Sequence, residues 1–165
     1  MPEPARVVIV NTTPLIGLSL IGHLELLKRL YGTVLIPPAV HGEVLAGGAN
    51  GIGAAELQGA DWIRVTPLRD QRRADLIADL DRGEAEVIAL AQELNAHLVV
   101  LDERLARLFA RRLGLRITGV LGVLLQAKVN GHVGALRPLL TELRAGGFWL
   151  SDAVVAETLR LGGET

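Results

Sequence analysis

The chain has 165 residues, is 50% hydrophobic, contains no cysteine and carries a formal net charge of -1. These values fit one globular domain, exclude disulfides and thiolate metal sites, and give no overall field for tight non-specific binding to nucleic acid. The first apolar run is far shorter than the ~20 residues of a membrane span. We therefore expect no membrane segment, no signal peptide and a cytoplasmic location.

The predicted elements alternate between strands and helices. Residues 6–10 form a buried strand that stops at Asn11, and Thr13 before Pro14 predicts a helix N-cap with proline at the first helical position. That helix breaks at Gly22 and resumes as far as Gly32. The other predicted strands cover 33–38, 61–67, 97–102 and 115–118. Two further predicted helices begin near Pro38 and after the loop 47–53. The remaining predicted helices cover 70–80, 84–95, 103–113, 121–129, 133–144 and 152–161.

This alternation indicates a parallel sheet that is covered by helices on both faces, because parallel neighbours need crossover connections. We predict an α/β fold, a three-layer α/β/α sandwich with a central, mainly parallel sheet. Residues 1–165 form a single domain in this prediction, with a helical segment from about 133 to 165 packed on it. In such sheets ligands bind beyond the carboxyl ends of the strands, where Asn11 and Asp102 lie.

Four oxygen-bearing side chains are candidates for a site at this edge. Asn11 and Asp102 follow predicted strands, Glu43 lies on the helix after Pro38, and Glu84 lies near a helix start. Clustered carboxylates repel one another unless a cation neutralises them. Mg²⁺ and Mn²⁺ prefer such oxygen ligands, and a bound ion can activate water against a phosphodiester.

Several segments, in their order and spacing, resemble PIN domains. The run VVIVNTTPLIGL resembles the opening strand, polar triplet and helix of that family, and LIPPAVHGEVL resembles its second helix with an acid. GEAEVIALA followed by HLVVLDERLARLFARRLGLRITGVLGVL is similar to the central acids and last strand. TGVLGVLLQAK and GFWLSDAVVAETL resemble a subgroup of predicted nucleic-acid-binding PIN proteins. The resemblance covers nearly the whole chain.

The resemblance implies a Mg²⁺- or Mn²⁺-dependent endoribonuclease that hydrolyses RNA phosphodiesters. It assigns Glu43, Glu84 and Asp102 as catalytic, metal-binding acids, and Thr13 as a residue that orders the site. Asn11 stands where the family has an aspartate, and its amide oxygen can bind a cation but brings no charge. The alternative is therefore a weak or inactive PIN-fold module that binds RNA or protein. Many small PIN proteins are the toxin of a toxin-antitoxin pair, which implies a small antitoxin as a partner. PIN proteins also often dimerise, which implies a homodimer.

Each candidate also has a purely structural alternative. Asp102 would cap the helix that starts at residue 103, and Glu84 would complement a helix dipole. Glu43 would be a solvated helix residue, and Asn11 would form a turn. Glu86 points about 200° around the helix from Glu84, so only one of this pair is expected in the site.

Three arginines and two tryptophans complete the candidates. Arg104, Arg107 and Arg111 share one helix face and are candidates for holding RNA phosphates. The solvated side of an amphipathic helix is the more common explanation, by roughly two to one. Trp62 and Trp149 are predicted to be core or interface anchors, because two aromatics so far apart make no base-stacking platform.

Overall fold

A computed structural model describes residues 6–47 and 51–165 and contains a five-stranded sheet. The strands are β1 (Val8–Val10), β2 (Val34–Ile36), β3 (Ile63–Val65), β4 (Leu98–Val100) and β5 (Ile117–Thr118). They lie in the order β3-β2-β1-β4-β5, and every neighbouring pair is parallel. The α/β prediction with a parallel sheet is confirmed.

Helices fill the connections between the strands and the C-terminal third of the chain. They are α1 (Thr12–Leu20), α2 (Leu26–Tyr31), α3 (Pro38–Leu45), α4 (Ala54–Gln58), α5 (Arg72–Asp75), α6 (Arg82–Leu94), α7 (Arg104–Arg112), α8 (Val120–Val129), α9 (Arg137–Ala145) and α10 (Asp152–Leu161). Residues 48–50 of the predicted loop 47–53 lie outside the described residues. Within the described ranges, no helix combines the length and hydropathy required for a bilayer span.

The central strand β1 is buried on both sides. Val8, Ile9 and Val10 are all buried, although successive strand residues point to opposite faces of a sheet. Helix α6 packs against β1, whereas α2 and α8 pack against each other and against β2 and β5 respectively. The sheet is thus the middle layer of a three-layer α/β/α sandwich, as predicted.

Helix α6 carries acidic residues into the interior. Every residue from Gly83 to Ala91 is buried. The helix begins with a capping box, in which Asp81 Oδ1 accepts from the Glu84 N–H at 2.8 Å and Glu84 Oε1 accepts from the Asp81 N–H at 3.2 Å. This reciprocal pair sets where the helix starts and so where Glu84 lies.

The first helix starts two residues earlier than predicted. The N–H of Asn11 donates to Val100 O at 3.0 Å, which holds Asn11 in an extended conformation beside β4. Asn11 is therefore the N-cap residue, and the prediction of Thr13 as the N-cap is wrong. Pro14 still lies in the first helical turn, where a missing N–H costs no hydrogen bond.

Two other helices are shorter than predicted. The predicted helix over 70–80 is reduced to α5, and the chain after it continues in single turns, such as that from Leu80 N to Ile77 O. Leu76 is 84% exposed, so this segment has no continuous apolar face to bury. Helix α9 begins at Arg137 rather than at residue 133, with Pro138 in its first turn.

The C-terminal helices are fastened to the rest of the chain. Helix α9 packs against α1, and α10 packs against α8. The Glu164 carboxylate accepts from Lys128 Nζ at 2.6 Å and from the N–H groups of Leu136 and Arg137 at 2.7 and 3.2 Å. These bonds fasten the C-terminal end of the chain to α8 and to the start of α9.

Candidate active site

Asn11 is almost fully buried directly after β1. It is 2% exposed, and its Nδ2 donates to Glu103 Oε2 at 3.0 Å. Its Oδ1 accepts no hydrogen bond from the part of the chain that the structure describes. An unpaired buried acceptor costs about 1–3 kcal/mol, so this oxygen is an available ligand at the carboxyl edge of the sheet.

Glu103 is a member of the acidic cluster that sequence reasoning missed. Thr13 Oγ1 donates to its Oε1, and Asn11 donates to its Oε2. Thr13, predicted to order the site, thus contacts Glu103. The available signal was the presence of two successive acids, Asp102 and Glu103, directly beyond a buried strand.

Glu43 lies against the start of α6. Thr12 Oγ1 donates to its Oε2, which orients the carboxylate. A methyl group built on Gly83 would lie 2.4 Å from Glu43 Oε1, so the carboxylate rests directly on the glycine backbone. Glu43 is therefore held between α1 and α6, and the alternative of a solvated helix residue is wrong.

Asp102 is held by the N-terminus of α8. Its Oδ1 and Oδ2 accept from the Val120 N–H at 3.1 and 3.2 Å, and a methyl group on Gly119 would lie 2.4 Å from Oδ1. The structural alternative was a cap for the helix beginning at residue 103. It is wrong, because the N-cap of that helix is Glu103, whose side chain makes no cap bond.

The two glutamates of α6 have different surroundings. Glu84 takes part in the capping box, so its structural alternative is real, and it also lies within electrostatic range of Glu43 and Glu103. Glu86 is 2% exposed and accepts from Ala39 N at 3.1 Å, Gln71 Nε2 at 3.0 Å and Arg82 Nε at 3.2 Å. These bonds tie α6 to α3 and to the segment before α5, so Glu86 has a structural role.

The three arginines of α7 are not equivalent. Arg107 is partly buried, donates to Leu101 O at 2.7 Å and lies beside Asp102. Arg104 and Arg111 are exposed on the same helix. Only Arg107 is therefore held next to the acids.

Burial and mutual repulsion raise the pKa values of two of the acids. The pKa of Glu84 is raised to about 7, first by burial and then by the charges of Asp81, Glu103 and Glu43, against the N–H of Asp81. The pKa of Asp102 is raised to about 6 by burial and by Glu103, whereas the Val120 N–H and Arg107 oppose the rise. Ionisation of these two carboxyl groups near neutral pH therefore costs free energy in the folded protein.

The arrangement of the whole chain can be compared with known families. A family model described as PIN domain matches residues 7–164. The chain belongs to the PIN-domain family. The match runs from β1 to the end of α10, and the PIN domain is a nuclease-type fold whose members generally use divalent metals. A search of curated proteins finds no match to the chain.

The oxygen donors of this PIN domain have the chemistry that a hard divalent cation requires, but their side chains would have to rotate before they could bind one ion together. Among residues 6–47 and 51–165, no three His, Asp or Glu side chains already form a metal-binding group. Instead, Asn11 and Thr13 donate to Glu103, and Val120 donates to Asp102. Carboxylates with raised pKa values and the unpaired Asn11 oxygen are the ligands that Mg²⁺ and Mn²⁺ take.

The metal-free PIN domain is expected to lose stability between pH 5 and pH 8. The folded-state pKa values of Glu84 and Asp102 lie above the ordinary values of 4.5 and 3.8 for these side chains. The stability that these two groups contribute is therefore full below the ordinary pKa values, and it is lost as the pH rises through the folded-state values of about 6 to 7. For Asp102, the rise from 3.8 to about 6 corresponds to roughly 3 kcal/mol in total, of which about 1 kcal/mol is lost above pH 5.

Urea midpoints at pH 5 and pH 8, with chelator and with Mn²⁺, test this expectation. Mn²⁺ should restore stability at pH 8 and have little effect at pH 5, because a cation replaces the missing protons. A metal-free protein that becomes more stable from pH 5 to pH 8 would contradict the assignment of these two acids to a repulsive cluster.

Proposed function

We propose that this PIN domain is a Mg²⁺- or Mn²⁺-dependent endoribonuclease that hydrolyses RNA phosphodiesters. One observation carries the proposal: Glu103 lies within electrostatic range of both Glu84 and Asp102, and Glu43 lies within range of Glu84. Asn11, whose Oδ1 has no partner among the described residues, donates to Glu103 in the same acidic cluster. Ligands of parallel α/β sheets bind at the carboxyl edge of the sheet. The family gives the nuclease class, and RNA as the substrate is part of the proposal.

In the proposed site, Asp102, Glu84, Glu43 and the side-chain amide oxygen of Asn11 would hold the cation. When bound, the cation supplies an activated water and offsets the charge that develops on the phosphodiester. The Thr12 hydroxyl donates to Glu43, and the Val120 N–H donates to Asp102. These bonds keep the two carboxylates in place. Glu84, with a pKa of about 7, is suited to hold or release a proton at its carboxylate near neutral pH.

A module that binds RNA or protein without cutting is the second candidate. The observation that favours it is the set of hydrogen bonds on Glu103, both of whose oxygens are occupied by Asn11 and Thr13. With an uncharged residue after β1, these bonds satisfy part of the cluster without a cation. The substitution of Asn11 described in the Discussion separates the two candidates.

The remaining partners are also proposals, carried by the family resemblance. A small antitoxin protein would neutralise the enzyme if it acts as a toxin, and a homodimer is the expected assembly. Induced expression tests the toxin role, because a toxin should arrest growth and a Glu43→Gln variant should not. Growth arrest by both proteins would attribute the effect to something other than cleavage.

Cleavage of a mixed-sequence single-stranded RNA tests the proposed function directly. The wild type should cut with Mn²⁺ or Mg²⁺ and stop cutting with chelator. Glu43→Gln keeps the size of the side chain but removes one ligand charge, and should lower the rate by roughly 10- to 100-fold. Glu142→Gln, a matched change on the exposed surface of α9, should leave the rate unchanged.

Three outcomes would count against the proposed metal-dependent nuclease. Absence of cleavage with every metal would move the assignment to the binding module. Equal cleavage by the wild type and Glu43→Gln, purified identically, would attribute the activity to a contaminating nuclease. Cleavage that persists in chelator would also contradict the metal dependence.

A further inference from the structure

An exposed tryptophan stands beside the acidic cluster. Trp149 lies in the loop between α9 and α10 and is 84% exposed, although tryptophan usually buries most of its surface. Of the two predicted roles of Trp149, the core role is therefore wrong, and the interface role stays a prediction. An indole left in solvent next to candidate catalytic groups requires a different explanation.

The loop that carries Trp149 is clamped on both sides. Before it, the Phe148 N–H donates to Leu143 O at 2.9 Å, and the Phe148 ring packs on α1, where a methyl group on Gly17 would lie 3.0 Å from it. After it, the Arg144 guanidinium donates to Leu150 O at 2.7 and 3.1 Å. The indole is thus presented by a fixed backbone, which reduces the entropy lost when a ligand binds.

The indole belongs to two open clefts that meet at Asp102. A cleft of about 490 Å³ is lined by Asp102, Arg107, Thr118, Phe148 and Trp149, among others. A second cleft, of about 270 Å³, is lined by Asp102, Phe148 and Trp149 together with residues of the acidic cluster. Asp102 and the two aromatic rings are common to both, so a molecule that reaches Asp102 also passes the indole.

We infer that the Trp149 indole is a stacking platform for a nucleobase of single-stranded RNA whose neighbouring phosphate lies beside Arg107 in the same cleft. Any nucleobase can stack on an exposed aromatic ring, whereas the bases of a duplex are already stacked on one another. Arg107, held beside Asp102, supplies a positive charge for the same backbone. The inference rests on the proposed function for its choice of RNA, and it adds the residue that positions the strand.

The surroundings of the indole favour a nucleic acid over a protein partner. Protein interfaces usually bury a continuous apolar patch. The cleft beside Trp149 combines apolar residues, such as Val154, with the polar or charged groups of Asp102, Arg107 and Thr118. A base that stacks on the ring while its phosphate meets Arg107 uses both kinds of group.

Tryptophan fluorescence provides a direct test, since the chain has only two tryptophans. In the Trp62→Phe protein, Trp149 is the sole tryptophan, and its emission should be quenched by a single-stranded oligoribonucleotide in chelator, where no metal-dependent cleavage occurs. Duplex RNA of the same sequence should not quench it. Absence of quenching by the single strand, or equal quenching by the duplex, would overturn the inference.

Binding of a labelled oligoribonucleotide, followed by anisotropy, completes the test. Trp149→Ala should bind roughly 5- to 150-fold more weakly, Trp149→Phe should retain part of the affinity, and Trp62→Phe should bind as the wild type does. Unchanged affinity of a folded Trp149→Ala protein would overturn the inference and leave the ring to a protein partner. Because binding is measured without cleavage, stacking can succeed where the nuclease fails, and the reverse.

Discussion

Replacing Asp102 by asparagine is expected to remove metal-dependent cleavage and, at pH 8, to make the metal-free protein more stable. The carboxylate is a proposed ligand, and its loss should lower the rate by about 100-fold or more. Burial raises the pKa of Asp102 to about 6, so at pH 8 the carboxylate is ionised at a greater cost in free energy in the folded protein than in the unfolded chain. Asparagine has no charge, and its Oδ1 can still accept from the Val120 N–H.

Cleavage rates and thermal midpoints, each with chelator and with Mn²⁺, measure the two effects of Asp102→Asn. Mn²⁺ should raise the midpoint of the wild type but not that of the variant. Asp61→Asn, at an exposed position, is the matched control and should change neither quantity. A variant that loses both stability and activity would instead identify Asp102 as a helix cap whose charge the fold requires.

Replacing Asn11 by aspartate is expected to make the fold dependent on a cation. The Asn11 amide donates to Glu103 at 3.0 Å in a site where Asn11 is 2% exposed. A carboxylate there would face Glu103 without a proton between them, which should cost about 2–4 kcal/mol in the metal-free protein. The added charge should also tighten cation binding, by roughly tenfold or more.

Calorimetric titration with Mn²⁺, unfolding in chelator and RNA cleavage should be measured together for Asn11→Asp. Asn11→Ala is the control, because it removes the bond to Glu103 and adds no charge, so added Mn²⁺ should not rescue it. Faster cleavage by Asn11→Asp would establish the wild type as a nuclease whose rate is limited by the missing negative charge at residue 11. Tighter metal binding with no cleavage in either protein would favour the binding module, and unchanged metal affinity would remove Asn11 from the ligand set.

The order of the elements could be predicted because the sheet is built from continuous apolar runs. β1 and β4 are buried on both faces, so their sequences lack polar interruptions until Asn11 and Asp102. The boundaries were less predictable. The start of α1 depends on a hydrogen bond from Asn11 to β4, and the end of α5 depends on the exposure of Leu76, and neither is visible in local sequence.

The acids of the site could be predicted only in part. Order and spacing identified Glu43, Glu84 and Asp102, but two adjacent acids do not reveal which way each points, so Glu103 was missed. The contact of Asp102 with Val120 joins residues 18 positions apart, and helix propensity near residue 103 pointed to the wrong helix. The exposure of Trp149 follows the course of the loop between α9 and α10, in which Arg144 donates to Leu150 O, and local sequence does not reveal that course.

Two of the proposed ligand carboxylates rest on bare backbone, Glu43 on Gly83 and Asp102 on Gly119. Gly119 has φ -128°, a conformation that any residue adopts, so glycine is required there for space and not for backbone freedom. The geometry of the site therefore depends on the absence of two methyl groups. A chain of this family could retain every acid and still lose its ligand positions by acquiring alanine, so a complete set of acids does not by itself identify an active member.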